Sequence, residues 1–292
     1  MPVYIGLDIG GTKIMVAAVD RSGKILRRSR IDTPGSLEAD LAALNRMIAE
    51  ASGGEEILGM GAAVGGPLDW GNGIVSPLHQ PAWRNVPLKA IIEARWKCPF
   101  YVDVDTNVAA VGEYVWGKIS ARRFLYLTLS TGMGGGFLID GKIYRGQGGV
   151  HPEIAHQSVN FHCSNPGAVQ CECGLSDCLE ALVSGNGIRR IYGKPAEDLD
   201  AAEWEEVAYN LGQGLRNLAV IYAPEVICLG GGVALGGGEA FVSQARQVME
   251  AHLKLVPAPQ VNLSSLGYDT PLLGAIAIAI DGPGTLNPPP VG

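Results

Sequence analysis

The 292-residue sequence predicts an α/β protein made of two similar domains. Short segments rich in Val, Ile and Leu alternate with longer segments whose apolar residues recur at helical spacing, a pattern typical of α/β proteins. A strand–glycine turn–strand–turn–strand arrangement begins at Val3 and recurs at Phe124, which indicates an internal duplication. Glycine accounts for 41 residues, about twice the usual share. We therefore expect many tight turns or close approaches of the backbone to a ligand.

The first domain is predicted over residues 1–116. Its first helix follows from Leu41, Leu44 and Ile48, which recur on one helical face. Turns rich in Gly, Asp and Ser separate its first three strands. In chain order the predicted elements are strands at 3–7, 14–19 and 24–28, a helix at 37–51, a strand at 58–64, a helix at 87–96, a strand at 100–104 and a helix at 107–116 that starts just after Asp105.

The second domain is predicted over residues 117–269. It opens with the second copy of the strand–turn arrangement, in which a glycine turn joins the first two strands and a two-residue turn joins the next two. In chain order the predicted elements are strands at 124–129, 137–139 and 142–144 with turns at 130–136 and 140–141, helices at 178–184 and 201–222, a strand at 226–229 running into three glycines, a last helix at 270–280, and a mobile Gly/Pro-rich tail at 281–292.

Charge and composition exclude several classes of function. The net charge of −7 argues against general binding to nucleic acid or to anionic membranes. There is no apolar stretch of about twenty residues and no basic region followed by an apolar run at the start, so we expect a cytoplasmic protein. Three of the six cysteines crowd into residues 171–178, which favours a metal site over disulfides in such a chain.

The first glycine turn, Asp8 to Lys13, is a candidate phosphate site. Gly10 and Gly11 let backbone N–H groups approach a phosphate, and Thr12 and Lys13 add donors. Asp8 is placed to hold Mg²⁺ through water, because this ion prefers oxygen ligands and keeps several waters. The alternative is a plain glycine hairpin between two core strands. The turn is not a P-loop, since Thr12 precedes Lys13 and a strand follows it.

Two further glycine turns follow strands in the second half. Residues 130–136 contain four glycines, but Phe137 occupies the third glycine position of the dinucleotide pattern. Residues 230–232 are three consecutive glycines. Three glycine turns, each after a strand, indicate a bound nucleotide. The candidate contacts in these two turns are Thr131, Gly132, Gly134, Gly231 and Gly232.

Two carboxylates, Asp103 and Asp105, stand at the end of a predicted strand, two residues apart. Phosphoryl transfer to an alcohol needs a carboxylate that accepts the hydroxyl proton, which makes this pair a candidate catalytic site. The equally weighted alternative is that Asp105 or Thr106 caps the helix that follows.

The most distinctive local pattern is His156 followed by Cys171, Cys173 and Cys178. Three thiolates and one imidazole form a closed tetrahedral zinc site of the structural kind. Redox-active cysteines are the alternative, and His151, His162 and Cys163 are rival fourth ligands nearby. Glu153 and Glu180 flank the ligands, so a bound zinc ion would hold both carboxylates in place to bind sugar hydroxyls. The alternative is that both are surface glutamates.

Together these motifs resemble the ROK family (repressors, open reading frames and sugar kinases), and the resemblance extends from Tyr4 to Ile280. Asp177 stands where glycine is usual. The motifs are Asp8 to Lys13 and Leu129 to Gly136 for phosphate, Gly66-Pro67-Leu68-Asp69 and Trp83 to Leu88 on the sugar side, Glu153-x-x-His156, and Cys171-x-Cys173-Gly174-x-x-Asp177-Cys178-x-Glu180.

The resemblance implies two RNase H-like domains of the actin/hexokinase-like superfamily with a cleft between them, and a last helix that packs on the first domain. It also implies a homodimer or homotetramer. The residue roles that it implies are Asp105 as catalytic base, Gly65, Asp105, Glu153, His156 and Glu180 as sugar contacts, and His156 with Cys171, Cys173 and Cys178 as zinc ligands.

The activity that the resemblance implies is phosphorylation of a hexose by ATP with Mg²⁺. Glucose, at its 6-hydroxyl, is the expected acceptor, and N-acetylmannosamine or N-acetylglucosamine is the alternative. A sugar-responsive repressor is the alternative from another class. Repressors of the family carry an N-terminal helix-turn-helix, for which the strand at Val3 leaves no room, and the acidic charge also favours the kinase.

Besides Asp177, two residues depart from the family pattern. Val104 replaces an asparagine that binds a sugar hydroxyl, and Gly65 replaces a proline before Gly66. Valine neither donates nor accepts a hydrogen bond, and losing one such bond in a polar site costs about 1–3 kcal/mol. We therefore expect the choice of sugar to differ from the family pattern. The kinase chemistry should be retained, because Asp105 and the phosphate motifs are intact.

Overall fold

The structure is a computed structural model that describes residues 1–284 and divides the chain into two compact units. Both units are α/β, as predicted. No helix within the described residues combines the length and the apolar character needed to span a membrane. Within the described residues, unit 1 comprises 1–120, 140–151 and 269–284, and unit 2 comprises 121–139 and 152–268.

Residues 140–151 were assigned to the second domain from the sequence, but they belong to unit 1. The physical reason is that Arg145 forms an ion pair with the buried carboxylate of Asp103, which the sequence does not reveal. The last helix also belongs to unit 1. From residue 285 onward, the tail predicted at 281–292 lies outside the described residues.

Twelve strands and eight α-helices are found in residues 1–284. The strands are β1 (Val3–Ile9), β2 (Lys13–Val19), β3 (Ile25–Asp32), β4 (Ile57–Val64), β5 (Leu68–Asp69), β6 (Ile74–Val75), β7 (Phe100–Val104), β8 (Arg123–Leu129), β9 (Met133–Ile139), β10 (Lys142–Ile143), β11 (Val226–Gly230) and β12 (Gln260–Leu263). The helices are α1 (Leu37–Ser52), α2 (Leu88–Trp96), α3 (Asp105–Trp116), α4 (Leu179–Val183), α5 (Gly185–Tyr192), α6 (Ala201–Tyr222), α7 (Gly231–Ala251) and α8 (Thr270–Asp281).

Unit 1 is built on a five-stranded mixed sheet in the order β3-β2-β1-β4-β7. β1 pairs antiparallel with β2 and parallel with β4, and β4 pairs parallel with β7. Leu44 and Ile48 of α1 are buried in the main core of this unit, and Leu272 and Ile276 of α8 pack with apolar residues of β2. The parallel strands therefore end at one edge of the sheet, where the candidate carboxylates lie.

Unit 2 repeats this topology. Four of its strands run in the order β9-β8-β11-β12, with β8 and β9 antiparallel and β8, β11 and β12 parallel. This order and these directions match β2-β1-β4-β7 of unit 1, so the internal duplication predicted from the sequence is confirmed. α6 begins with a capping box, in which Asp200 accepts the backbone N–H of Glu203 at 3.0 Å and Glu203 accepts that of Asp200 at 2.7 Å.

Unit 2 differs from the sequence predictions in several elements, among them α5 and β12, which were not predicted. The glycine turn at 130–136 is shorter than predicted, because β9 begins at Met133 and takes in the last three glycines. The 21-residue helix α7 was missed altogether. Its three central glycines, residues 236–238, are poor helix formers, and the chain is kinked at Gly238 with φ +64°. Packing overrides that low propensity, since Phe241 and Val242 of α7 are buried in the core of unit 2.

Candidate active site

The turn between β1 and β2 is a closed hairpin with its backbone exposed at the tip. The amide of Gly10 donates to the carbonyl of Lys13 at 2.9 Å, and Thr33 Oγ1 donates to the carbonyl of Gly10 at 2.7 Å. Gly11 and Thr12 are exposed. A β-carbon added to Gly11 would lie 3.3 Å from the carbonyl oxygen of His79, so a side chain is disfavoured there. The turn can therefore present backbone N–H groups to an anion.

Asp8 lies at the base of this turn with 9% of its surface exposed. Burial raises the pKa of its carboxyl to about 6; Lys13 opposes this rise and Asp269 adds to it. Positive charge nearby stabilises the ionised form of a buried carboxylate, but Lys13 does not fully offset the effect of burial on Asp8. An oxygen ligand in this state fits a hydrated divalent cation such as Mg²⁺, as expected from the sequence.

The turn between β8 and β9 is tied to the start of α5. The amide of Ser130 donates to the carbonyl of Gly132 at 2.8 Å, the amide of Gly185 donates to the carbonyl of Ser130 at 2.7 Å, and the amide of Asn186 donates to the carbonyl of Thr131 at 3.0 Å. Thr131 is exposed at the tip. Gly134 lies in β9 and so is not part of this turn, which corrects the sequence prediction.

The third glycine segment forms the N-terminus of α7. Gly231 has φ +84°, and a β-carbon there would collide with the carbonyl of Leu129, so only glycine fits. Within the described residues, no side chain caps this helix. Its first N–H groups therefore form an anion site. Because β8 and β11 are parallel neighbours, with Gly230 opposite Thr128, this site adjoins the turn at Thr131.

Tyr268 lies beside this helix start and was missed by sequence reasoning. Its hydroxyl is 3.5 Å from the position that a β-carbon on Gly232 would occupy, and 69% of the residue is exposed. No motif marks it, because only the fold brings it next to Gly232. An exposed aromatic ring beside an anion site is suited to stacking on a nucleotide base.

The two carboxylates at the end of β7 have different environments. Asp103 is buried, forms an ion pair with Arg145, and accepts hydrogen bonds from Asn107 Nδ2 at 2.9 Å and from the Val104 amide at 2.7 Å. The ionised Asp103 carboxylate is therefore balanced by Arg145 and stabilises the fold of unit 1. Asp105 is the first residue of α3 and is partly exposed.

The alternative role of Asp105 or Thr106 as a helix cap does not hold. Val104 occupies the cap position of α3, and within the described residues no side chain caps that helix. The Asp105 carboxylate accepts the amide of Thr106 at 2.7 Å. The positive end of the helix dipole also favours a negative charge at this position. Asp105 is thus the more exposed carboxylate of the pair.

The predicted metal-ligating residues come together in unit 2. His156, Cys171, Cys173 and Cys178 have ligand atoms that all lie within 4.8 Å of one another, and the other candidates His151, His162 and Cys163 are not in this group. The amide of Leu179 donates to the carbonyl of Gln157 at 2.9 Å, which brings the His156 and Cys178 segments side by side. Gly174, with φ +91°, turns the chain between the cysteines.

The chemistry of this cluster fits a tetrahedral metal ion. Three sulfurs and one imidazole are the ligand set of a structural zinc site. Burial raises the pKa of the Cys171 and Cys178 thiols. A cation bound at the centre would supply the positive charge that thiolates need there.

Glu180 links this cluster to the turn at Thr131. Its Oε2 is 3.3 Å from His156 Nδ1 and 3.6 Å from Cys171 Sγ. Its Oε1 accepts the amide of Met133 at 3.3 Å, and a β-carbon on Gly132 would lie only 2.8 Å from that oxygen. Glu153 is exposed, just before the short turn that carries His156. Gly65 directly follows β4 in unit 1.

The comparisons with known proteins cover nearly the whole chain. The ROK family matches residues 4–282. The glucokinase of Halalkalibacterium halodurans is 30% identical over 93% of either chain. The ROK hexokinase from Thermus thermophilus is similar in structure, with a TM-score of 0.82 at 30% identity over 95% of this chain and 97% of that one.

A ROK family glucokinase from Streptomyces griseus, solved in complex with glucose and AMPPNP, has a TM-score of 0.76 at 30% identity over 96% of this chain and all of that one. These likenesses confirm the two-domain, RNase H-like fold of the actin/hexokinase-like superfamily that the sequence predicts.

Proposed function

The chain belongs to the ROK family, and from this premise we propose that it is an ATP-dependent kinase that phosphorylates glucose at its 6-hydroxyl. The observation that carries the proposal is the position of Asp105, a partly exposed carboxylate at the start of α3 whose neighbour Asp103 is already paired with Arg145. The similarity to glucokinases, one of them solved with glucose and AMPPNP, supports the choice of substrates.

Asp105 acts as the general base. Its carboxylate takes the proton of the sugar hydroxyl as the hydroxyl oxygen attacks the γ-phosphorus of ATP, and the bond from that phosphorus to the bridging oxygen of ADP breaks. Asp103 is buried and pairs with Arg145, whereas Asp105 is partly exposed at the start of α3.

We infer that each unit offers backbone N–H groups of its own glycine segments as phosphate contacts. Gly10, Gly11 and Thr12 contribute from unit 1, with Lys13 as a nearby cation. Thr131, Gly132, Gly231 and Gly232 contribute from unit 2. Asp8 would hold Mg²⁺ through water, and that ion, when bound, neutralises phosphate charge.

The cluster of His156, Cys171, Cys173 and Cys178 would hold a structural zinc ion. The ion would fix Glu180, which touches both this cluster and the turn at Thr131. We infer that Glu153, Glu180 and His156 are the candidate sugar contacts of unit 2. In unit 1 the candidate sugar contact is Gly65, which directly follows β4.

The test of the proposed function is a coupled assay for ADP release with Mg²⁺-ATP. The acceptors are glucose, mannose, fructose, allose, N-acetylglucosamine and N-acetylmannosamine. We expect the highest kcat/KM with glucose. A clear preference for an N-acetylhexosamine would replace glucose as the substrate, and no turnover with any of the sugars by folded, metal-loaded protein would refute the kinase.

Replacing Asp8 with asparagine is expected to lower kcat/KM for Mg²⁺-ATP on the order of 100-fold. The same change should leave stability unharmed or raise it at pH 7. Burial raises the folded-state pKa of Asp8 to about 6 from an ordinary value of 3.8, so ionised Asp8 destabilises the fold as pH rises through this range, by about 3 kcal/mol at most. Steady-state kinetics and thermal melts without nucleotide measure the two effects. Wild-type kinetics in Asp8→Asn would remove Asp8 from the site.

Replacing Tyr268 with alanine is expected to raise KM for ATP about 10-fold, because stacking of one base on an aromatic ring contributes about 1–3 kcal/mol. KM for glucose should stay within a factor of about two. Tyr268→Phe is the matched control, since it keeps the ring and should keep the wild-type KM. An unchanged KM for ATP in the alanine variant would show that the ring does not touch the nucleotide.

A further inference from the structure

The atoms nearest to the space over Gly66 in unit 1 belong to a polar and an apolar side chain, His151 and Val104. A β-carbon added to Gly66 would lie 3.5 Å from Cε1 of His151 and 3.7 and 3.8 Å from the two methyl groups of Val104. The imidazole of His151 and the methyl groups of Val104 therefore lie beside the space that a side chain at position 66 would fill.

This space lies next to the proposed general base. Val104 directly precedes Asp105 at the junction of β7 and α3, and it is 6% exposed. Its methyl groups can neither donate nor accept a hydrogen bond. A sugar placed with one hydroxyl at Asp105 presents its other hydroxyls at neighbouring positions a few ångströms away. A hydroxyl that reached Val104 would lose its water without gaining a partner there, which is unfavourable.

His151 is the residue that borders this space with hydrogen-bonding nitrogens. It is partly buried, and each ring nitrogen donates or accepts according to its tautomer. The segment that ends at His151 is anchored to unit 1. Arg145 pairs with Asp103 and lies 4.1 Å from the ring centre of Trp70, and the amide of Gly146 donates to the carbonyl of Val150 at 2.7 Å. Such anchoring favours a fixed position for a binding side chain.

We propose that His151 is a specificity-determining sugar contact, whose imidazole forms a hydrogen bond with a hexose hydroxyl lying over Gly66 and against Val104. The proposal rests on the proposed kinase function. His151 thereby provides the polar contact that the Val104 side chain lacks, and the hydroxyl is one of those not phosphorylated. His151 discriminates among hexoses because an analogue without this hydroxyl cannot form this hydrogen bond.

Kinetics of His151 variants test this contact. His151→Ala is expected to raise KM for glucose about 10- to 100-fold, the loss of one hydrogen bond in a polar site. KM for ATP should change less than about twofold. His151→Gln keeps a hydrogen-bonding side chain and should recover part of the loss. His252→Ala, which alters an exposed histidine just after α7 in unit 2, is the matched control.

Deoxyglucose analogues identify the hydroxyl. The wild-type enzyme should discriminate against the 2-, 3- or 4-deoxy analogue that lacks the bonded hydroxyl, and His151→Ala should lose that discrimination while keeping it against the other two. If His151 had only a structural role, its replacement would weaken the binding of all three analogues to the same extent. In the double variant Val104→Asn/His151→Ala, a new amide should restore part of the glucose affinity, since the two side chains share one space.

The outcomes separate this inference from the proposed function. If the wild-type protein phosphorylates no sugar, the proposed function is wrong. If it phosphorylates glucose but folded His151→Ala, or His151→Gln if the alanine variant does not fold, keeps the wild-type KM and the same discrimination among deoxy analogues, only the role of His151 is overturned.

Discussion

The Asp105→Asn variant is expected to lose phosphoryl transfer almost completely, with kcat reduced about 10²- to 10⁴-fold. Asparagine has nearly the same shape as aspartate but does not accept the hydroxyl proton. α3 has Val104 at its cap position, so the helix should persist without the carboxylate. Glucose affinity, measured by calorimetry without ATP, should therefore fall far less than kcat.

A matched control for this variant is Asp198→Asn, which removes an exposed carboxylate in unit 2 that lies in none of the proposed sites. Its kcat should equal that of the wild type. A normal kcat for Asp105→Asn would contradict the assignment of Asp105 as the base. A loss of kcat together with a collapse of the thermal melting temperature would point to a structural role instead.

Removing the metal is expected to produce the largest loss of stability. Metal analysis of the purified protein should find about one zinc per chain, and Cys178→Ser should abolish it, because Cys178 is fully buried between the His156 and Cys171 segments. Loss of a structural metal costs on the order of 4 kcal/mol, or roughly 10 °C in melting temperature. KM for glucose should also rise when the metal is lost, since Glu180 contacts His156 of this cluster.

Cys163→Ser is the control for this prediction. Cys163 is a partly buried neighbour that does not belong to the cluster, so its variant should keep both the zinc and the wild-type KM. Protein that contains no zinc when purified, or chelation that leaves both melting temperature and glucose binding unchanged, would contradict a structural metal site.

Local sequence patterns predicted most of the fold. Leu41, Leu44 and Ile48 mark α1, and the structure begins this helix at the predicted residue. α6 was predicted over its full length, from Ala201 to Tyr222. Spacing predicted the three cysteines of the cluster, because Cys-x-Cys with a third Cys nearby is typical of a metal site. It left His151, His162 and Cys163 as rivals of His156, which the structure brings into the cluster.

The features that the sequence did not reveal depend on contacts between distant segments. Arg145 pairs with Asp103 across 42 positions of the chain, which placed residues 140–151 in unit 1 and showed that the two carboxylates have different tasks. Tyr268 lies in no motif, and the sequence singled out His151 only as a rival metal ligand at the start of the segment that contains Glu153 and His156. Folding brings Tyr268 beside Gly232 and His151 beside Gly66. Helix α7 was hidden because its glycines suit a loop locally, whereas burial of Phe241 stabilises the helix.

The most direct measurement of the central claim is identification of the product. Purified protein is incubated with Mg²⁺-ATP and glucose, and the product is followed by coupling to glucose-6-phosphate dehydrogenase, with Asp105→Asn as the inactive control. We predict stoichiometric formation of ADP and glucose 6-phosphate by the wild-type protein alone. Release of inorganic phosphate without a sugar phosphate, or no reaction with glucose, would contradict the proposed glucose kinase.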